Sequence, residues 1–140
     1  MTIKVLILAS GDLWAGAEAV VYNLAKSLKI QTSVNLMVVL LNNGRLATLL
    51  KKQGIKTCVI DETKYSFIQI LCHFARIVGK FRPHMIHSHR YKENILALLA
   101  KPLGGEHKIY HNCSWAFGRP FKVKNKALIT NKPIIAQVVF

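Results

Sequence analysis

The chain has 140 residues, 51% of them hydrophobic, and carries 20 Lys and Arg against six Asp and Glu, a formal net charge of +14. That length and apolar content suit one domain with a real core and exclude a disordered chain. The longest uninterrupted apolar runs, 36–41 and 95–100, are far too short to cross a bilayer.

The apolar N-terminal stretch is only strand-length and leads into Gly11-Asp12. It is therefore not expected to be a signal peptide, and a cytoplasmic location is expected. Three cysteines without C-x-x-C spacing (Cys58, Cys72, Cys113) fit reduced thiols better than a disulfide framework or a zinc site. Cys58 and Cys72, set among apolar neighbours, are expected in the core. The positive charge attracts anionic partners such as nucleic acid, phosphorylated sugars or acidic lipid headgroups without choosing among them. The basic residues are scattered, with no arginine-rich run or aromatic ladder, so nucleic acid has no special claim.

Residues 2–9 read as a strand. Helix periodicity follows from about Ala17 to Leu28, placing Ala17, Val20, Val21, Leu24, Ala25 and Leu28 on one stripe. Residues 34–41 are almost continuously apolar, as expected for a strand covered on both faces. Asn42-Asn43-Gly44 is a turn, 45–52 a short helix stopped at Gly54, and 57–60 a third strand. A longer helix spans about 66–80, with Phe67, Ile70, Leu71, Phe74, Ile77 and Val78 inward, and Pro83 follows it. Residues 84–88 form a fourth strand, 91–100 a fourth helix, and 108–111 a fifth strand. This strict alternation predicts an α/β, Rossmann-like parallel sheet flanked by helices, in the order 3-2-1-4-5. The domain is expected over residues 1–118. Residues 119–140, basic and then apolar with no partner in the pattern, are expected to be the remainder of a domain cut short.

The turn after the first strand, Ser10-Gly11-Asp12-Leu13-Trp14-Ala15-Gly16-Ala17-Glu18, has the setting of an anion site, where a helix N-terminus offers unpaired N–H groups. It is not G-x-G-x-x-G, since Leu13 occupies the second glycine position. Nor is it a Walker A loop, because Ala17-Glu18 replaces Lys-Ser/Thr, which argues against an ATPase. An ordinary strand–helix turn in which Gly16 permits close packing explains the spacing equally well.

His87 and His89 stand two apart where the fourth strand runs out, on one face if the strand continues. No Asp, Glu or Cys with ligand spacing completes a metal site around them. Arg90 and Lys92 could meet an anionic substrate, and Glu93 suits a helix start as an acid facing the macrodipole. His111 ends the fifth strand. In the expected strand order the ends of strands one, four and five are neighbours, and ligands of open α/β sheets bind at such carboxyl ends.

Together these segments resemble the N-terminal half of the family 4 glycosyltransferases, retaining enzymes of the GT-B fold. The family often carries Asp-x-x-x-Gly-Gly-x-Glu after its first strand, and Asp12-Leu13-Trp14-Ala15-Gly16-Ala17-Glu18 is similar to that pattern, with Ala15 for the first glycine and one residue fewer between the Asp and the glycine pair. The run His87-Ser88-His89-Arg90-Tyr91-Lys92-Glu93-Asn94 is similar to the family's segment at strand four. His111 falls at the position of a family histidine whose following glycine is here Asn112. The similarity covers about residues 1–125.

The resemblance implies that His111 lies by the reacting sugar as the catalytic residue of this half. It also implies that Gly11, Asp12, Gly16, Glu18, His89, Arg90, Lys92 and Glu93 meet substrate. Such an enzyme is expected to move a sugar from a nucleotide-sugar co-substrate to a glycan or lipid-linked acceptor of the cell envelope, without another cofactor or a metal. The nucleotide-binding half, with its pair of glutamates, is not in this sequence, so the chain alone is expected to be inactive. Two other classes stay open: a basic module binding anionic lipid or glycan at a membrane's inner face, and a nucleic-acid-binding protein.

Overall fold

A computed structural model describes residues 2–100, 102 and the backbone of 108–111. The expected tail at 119–140 lies outside the described residues. Nine elements alternate along the chain: β1 (Ile3–Ala9), α1 (Gly16–Ile30), β2 (Val34–Leu40), α2 (Arg45–Lys52), β3 (Lys56–Val59), α3 (Phe67–Phe81), β4 (Met85–Ser88), α4 (Tyr91–Ala100) and β5 (Lys108–His111). The five strands are parallel, in the order β3-β2-β1-β4-β5. The α/β, Rossmann-like architecture expected from the alternation is therefore the fold.

The two-residue period of β1 sorts its side chains onto two cores. Val5, Ile7 and Ala9 join Val21 and Ala25 of α1 and Leu46 and Leu50 of α2 on one face. Leu6 and Leu8 join Ile70, Phe74 and Val78 of α3 and Leu96 and Ala97 of α4 on the other. Both faces are covered, which is why β1 and β2 are nearly all apolar.

Local chemistry sets the element ends. Ser66 starts α3 through a capping box in which Gln69 Oε1 accepts the Ser66 N–H at 2.9 Å. Arg82, in a left-handed conformation (φ 49°), and then Pro83 stop it. Gly44, which starts α2, is needed for a close approach: a Cβ there would lie 2.3 Å from the Gly11 carbonyl oxygen. This contact clamps the turn after β2 onto the turn after β1.

Three burial expectations need correction. Val20 is 44% exposed, and its place on the inner stripe of α1 is taken by Glu18, which is 3% exposed. Residues 18, 21, 25 and 28 make the inward row, and a charge sits on it because Arg90, just after β4, pairs with it. Phe67, the first residue of α3, is exposed. Cys72 is exposed on the outer side of α3, whereas Cys58 on β3 is half-buried.

Candidate functional site

The sheet order brings the carboxyl ends of β1, β4 and β5 side by side. Leu8, Ser88 and His111 share one register row. His111 thus ends β5 level with the last residues of β4, and its side chain lies outside what the structure describes.

Arg90, immediately after β4, reaches the turn after β1. Its Nη2 donates to Glu18 Oε1 at 2.9 Å and its Nη1 to Asp12 Oδ1 at 3.4 Å. Glu18 Oε2 also accepts the N–H of Ala15 at 3.2 Å. One buried carboxylate therefore takes the N–H that precedes α1 and anchors the guanidinium, whose side chain remains 42% exposed.

The first turn of α1 has no side-chain cap, so its backbone donors point toward the same opening. A Cβ at Gly16 would meet nothing within 4 Å. Close packing therefore does not explain this glycine, and its missing side chain leaves the helix start open. Gly11 holds the turn in a left-handed conformation (φ 77°) against the Leu40 side chain. Partial burial pushes the Asp12 carboxyl upward. The Leu13 N–H, the Arg90 charge and the Ser10 hydroxyl outweigh it and hold the group below the usual carboxylate range.

A second network was not singled out from the sequence. Asn42, just past β2, donates from Nδ2 to Glu62 Oε1 at 2.7 Å and to Ser10 Oγ at 3.4 Å. Glu62, just past β3, pairs with Lys92 of α4. Lys92 is thus held by a carboxylate from the far side of the sheet. Burial raises the Glu62 carboxyl, but Lys92 and Asn42 more than offset this, and it stays below its ordinary range. A signal was available: Glu62 stands at a strand's carboxyl end by the same rule that points to Gly11 and Arg90.

His89 and Glu93 are brought to this end but sit beneath its surface, 6% and 1% exposed. His89 Nε2 and Glu93 Oε2 have no hydrogen-bond partner among the described residues. Burial pushes the Glu93 carboxyl above the usual range, against the opposing pull of its own N–H and of Arg90. The ring of His87 meets that of His89 edge to face, centroids 5.8 Å apart. Beneath them Ser88 Oγ donates to Asn94 Oδ1 at 2.5 Å, tying β4 to α4. Among the described residues no group of three or more His, Cys, Asp or Glu could hold a metal ion. No described helix is long and apolar enough to cross a membrane.

The arrangement can receive an anion. Open N–H groups at the start of α1 stand beside an anchored, half-exposed guanidinium, with carboxylates that orient the guanidinium.

No protein-family model and no curated protein matches the sequence. Solved structures do match. A glycosyltransferase from Rickettsia africae superposes with a TM-score of 0.69 at 17% identity, over 86% of this chain and 32% of that one. HepE from Anabaena, in complex with UDP-glucose, gives 0.63 at 18% identity over 78% and 28%. The lipopolysaccharide outer core galactosyltransferase WaaB gives 0.60 at 16% identity over 78% and 32%. At these identities the likeness is one of fold, and the chain spans less than a third of each of these proteins. Its Rossmann-like α/β domain is the kind found in GT-B glycosyltransferases.

Proposed function

We propose that this chain is the acceptor-side domain of a family 4-like, retaining glycosyltransferase. It works with a nucleotide-binding half to move a sugar from a nucleotide-sugar donor to a glycan or lipid-linked acceptor. The observation that carries this reading is Arg90, fixed between Asp12 and Glu18 beside the open start of α1.

In this reading the donor's diphosphate approaches Gly16 and the first-turn N–H groups, and Arg90 offsets its charge. Lys92 extends the positive field along α4. Glu18 and Asp12 orient Arg90, Gly11 shapes the turn, and His89 and Glu93 support the end of β4 from below. His111 completes the row as the catalytic residue by the reacting sugar. The fold likeness to a protein holding UDP-glucose supports the donor class, although fold alone does not establish activity. Without the nucleotide-binding half, the chain does not turn over a nucleotide sugar.

Inorganic pyrophosphate tests the anion site directly. Wild type is expected to gain thermal stability on adding it, and both Gly16→Val and Arg90→Gln are expected to lose the gain. Unliganded Gly16→Val should match wild type to within about 0.5 kcal/mol, since a side chain there meets open space. A full pyrophosphate response in both variants contradicts the reading.

A second reading, compatible with the first, is favoured by where the charges lie. Five of the six acids, Asp12, Glu18, Asp61, Glu62 and Glu93, are at the carboxyl end of the sheet. Lys29, Lys51, Lys52 and Lys80 lie in the last turns of their helices, at the opposite end. There Lys4 and Lys56 both stand about 6 Å from the Phe81 ring centroid. We infer that this end rests on an anionic membrane at its cytoplasmic face. Binding to vesicles of phosphatidylserine that vanishes near 1 M salt, where the Debye length is about 3 Å, is the expected result. Salt-resistant binding, or none, counts against it.

A further inference from the structure

Trp14 lies between Asp12 and Gly16 in the turn that shapes the anion site, yet the anion does not need it. Its indole is held from two directions. The Arg45 guanidinium sits over the ring at 5.0 Å from the centroid, and Tyr22 of α1 meets it nearly edge-on at 6.2 Å and 66°. Despite these contacts the residue is 39% exposed. An aromatic group that is both fixed and exposed loses little conformational freedom when something stacks on it.

The chemistry around the ring selects what would stack. Asp12, two residues away, is ionised and accepts hydrogen bonds. Arg90, bonded to Asp12, donates them. A flat apolar face in the same turn as an ionised carboxylate that holds a guanidinium suits a pyranose ring. The C–H groups on one face of the sugar carry partial positive charge toward the indole, and its hydroxyls meet the polar rim. The open start of α1, one residue beyond Ala15, would then take a phosphate attached to that sugar.

We propose that Trp14 is the stacking platform for the sugar ring of a glycosyl phosphate whose phosphate occupies the start of α1. This rests on the anion site described above and adds the class of group that lies beside it. The Arg45 contact is part of the device: a cation over the ring holds the indole in place.

The test uses the full chain with Trp115→Phe, which leaves Trp14 as the remaining one of its two tryptophans. It is titrated separately with glucose 1-phosphate, inorganic phosphate and uridine, reading indole emission and thermal shift. Glucose 1-phosphate is expected to change the emission and to bind about fivefold to tenfold more tightly than phosphate. Phosphate should raise the melting temperature with the emission unmoved. Trp14→Ala should bring glucose 1-phosphate down to the affinity of phosphate, and Trp14→Phe should keep most of the gain, which separates stacking from a folding defect. If phosphate binds and the sugar adds nothing, the platform is wrong and the anion site stands. A larger emission change with uridine than with glucose 1-phosphate also overturns it, in favour of a nucleobase. Failure of both phosphate and glucose 1-phosphate to bind removes the anion site and the platform together.

Discussion

Glu18 and Arg90 show how a charge comes to lie on the inner stripe of a helix. Taken alone, the carboxylate argues against burial and Val20 argues for it. The partner that reverses this is 72 residues downstream, so no local window contains the answer. Removing the guanidinium in Arg90→Ala leaves Glu18 Oε1 buried without its donor, a loss of about 1–3 kcal/mol. Arg90→Lys keeps the charge but cannot span Asp12 and Glu18 together, so an intermediate loss is expected. Chemical denaturation of the three proteins checks the order.

Glu93 predicts a pH effect of the opposite sign from its neighbours. Its carboxyl is raised by burial, so the folded chain holds a proton that the unfolded chain releases above about pH 4. This contribution therefore makes stability fall as pH rises from there through the raised value. Asp12 and Glu62 are lowered in the folded state. Their contribution is present above the usual carboxylate range and is lost as pH falls through their lowered values. Glu93→Gln should remove the first slope, leaving a chain more stable than wild type at pH 7 and similar to it near pH 4. Denaturation midpoints across that interval measure the difference, and equal slopes in the two proteins contradict it.

Among the elements, those with strong periodicity and clear stops were legible from sequence: the α2 bounds agree, and those of α3 and β4 agree to within a residue. The glycine and proline punctuation carries its own stereochemistry, which explains that success. Contacts between turns were hidden. Nothing local in Asn42-Asn43-Gly44 says that Gly44 presses on the carbonyl of Gly11, 33 positions earlier, or that Asn42 reaches Glu62. Gly44→Ala should cost about 1–3 kcal/mol, because the added Cβ meets backbone that the β1 and β2 ends hold in place. Gly16→Ala, at the other glycine of the same end, should cost nothing measurable. A melting comparison of the two separates a glycine required for packing from one that leaves a surface open.

At the scale of the whole molecule, the strand order and the two apolar cores follow from the alternation, and so does the neighbourhood of β1, β4 and β5 ends. Phe74, fully buried among α3, α4 and the sheet, should cost about 3–5 kcal/mol as Phe74→Ala, a large share of a domain's typical stability of about 5–15 kcal/mol. What composition could not reveal is the sorting of charge. A net charge of +14 describes the chain as uniformly basic, whereas the fold gathers nearly all of its acids at one end. An anion arriving at that end meets a few oriented groups, and an anion at the other meets a diffuse basic field.

The most direct test distinguishes those two ends by amide NMR during titration with inorganic pyrophosphate. Saturable shifts centred on the Gly16, Ala17 and Glu18 amides and on the Arg90 side chain, persisting at physiological salt, are the predicted result. Shifts confined to Lys4, Lys29, Lys56 and Lys80, fading as salt is raised, would contradict a built anion site at the carboxyl end of the sheet.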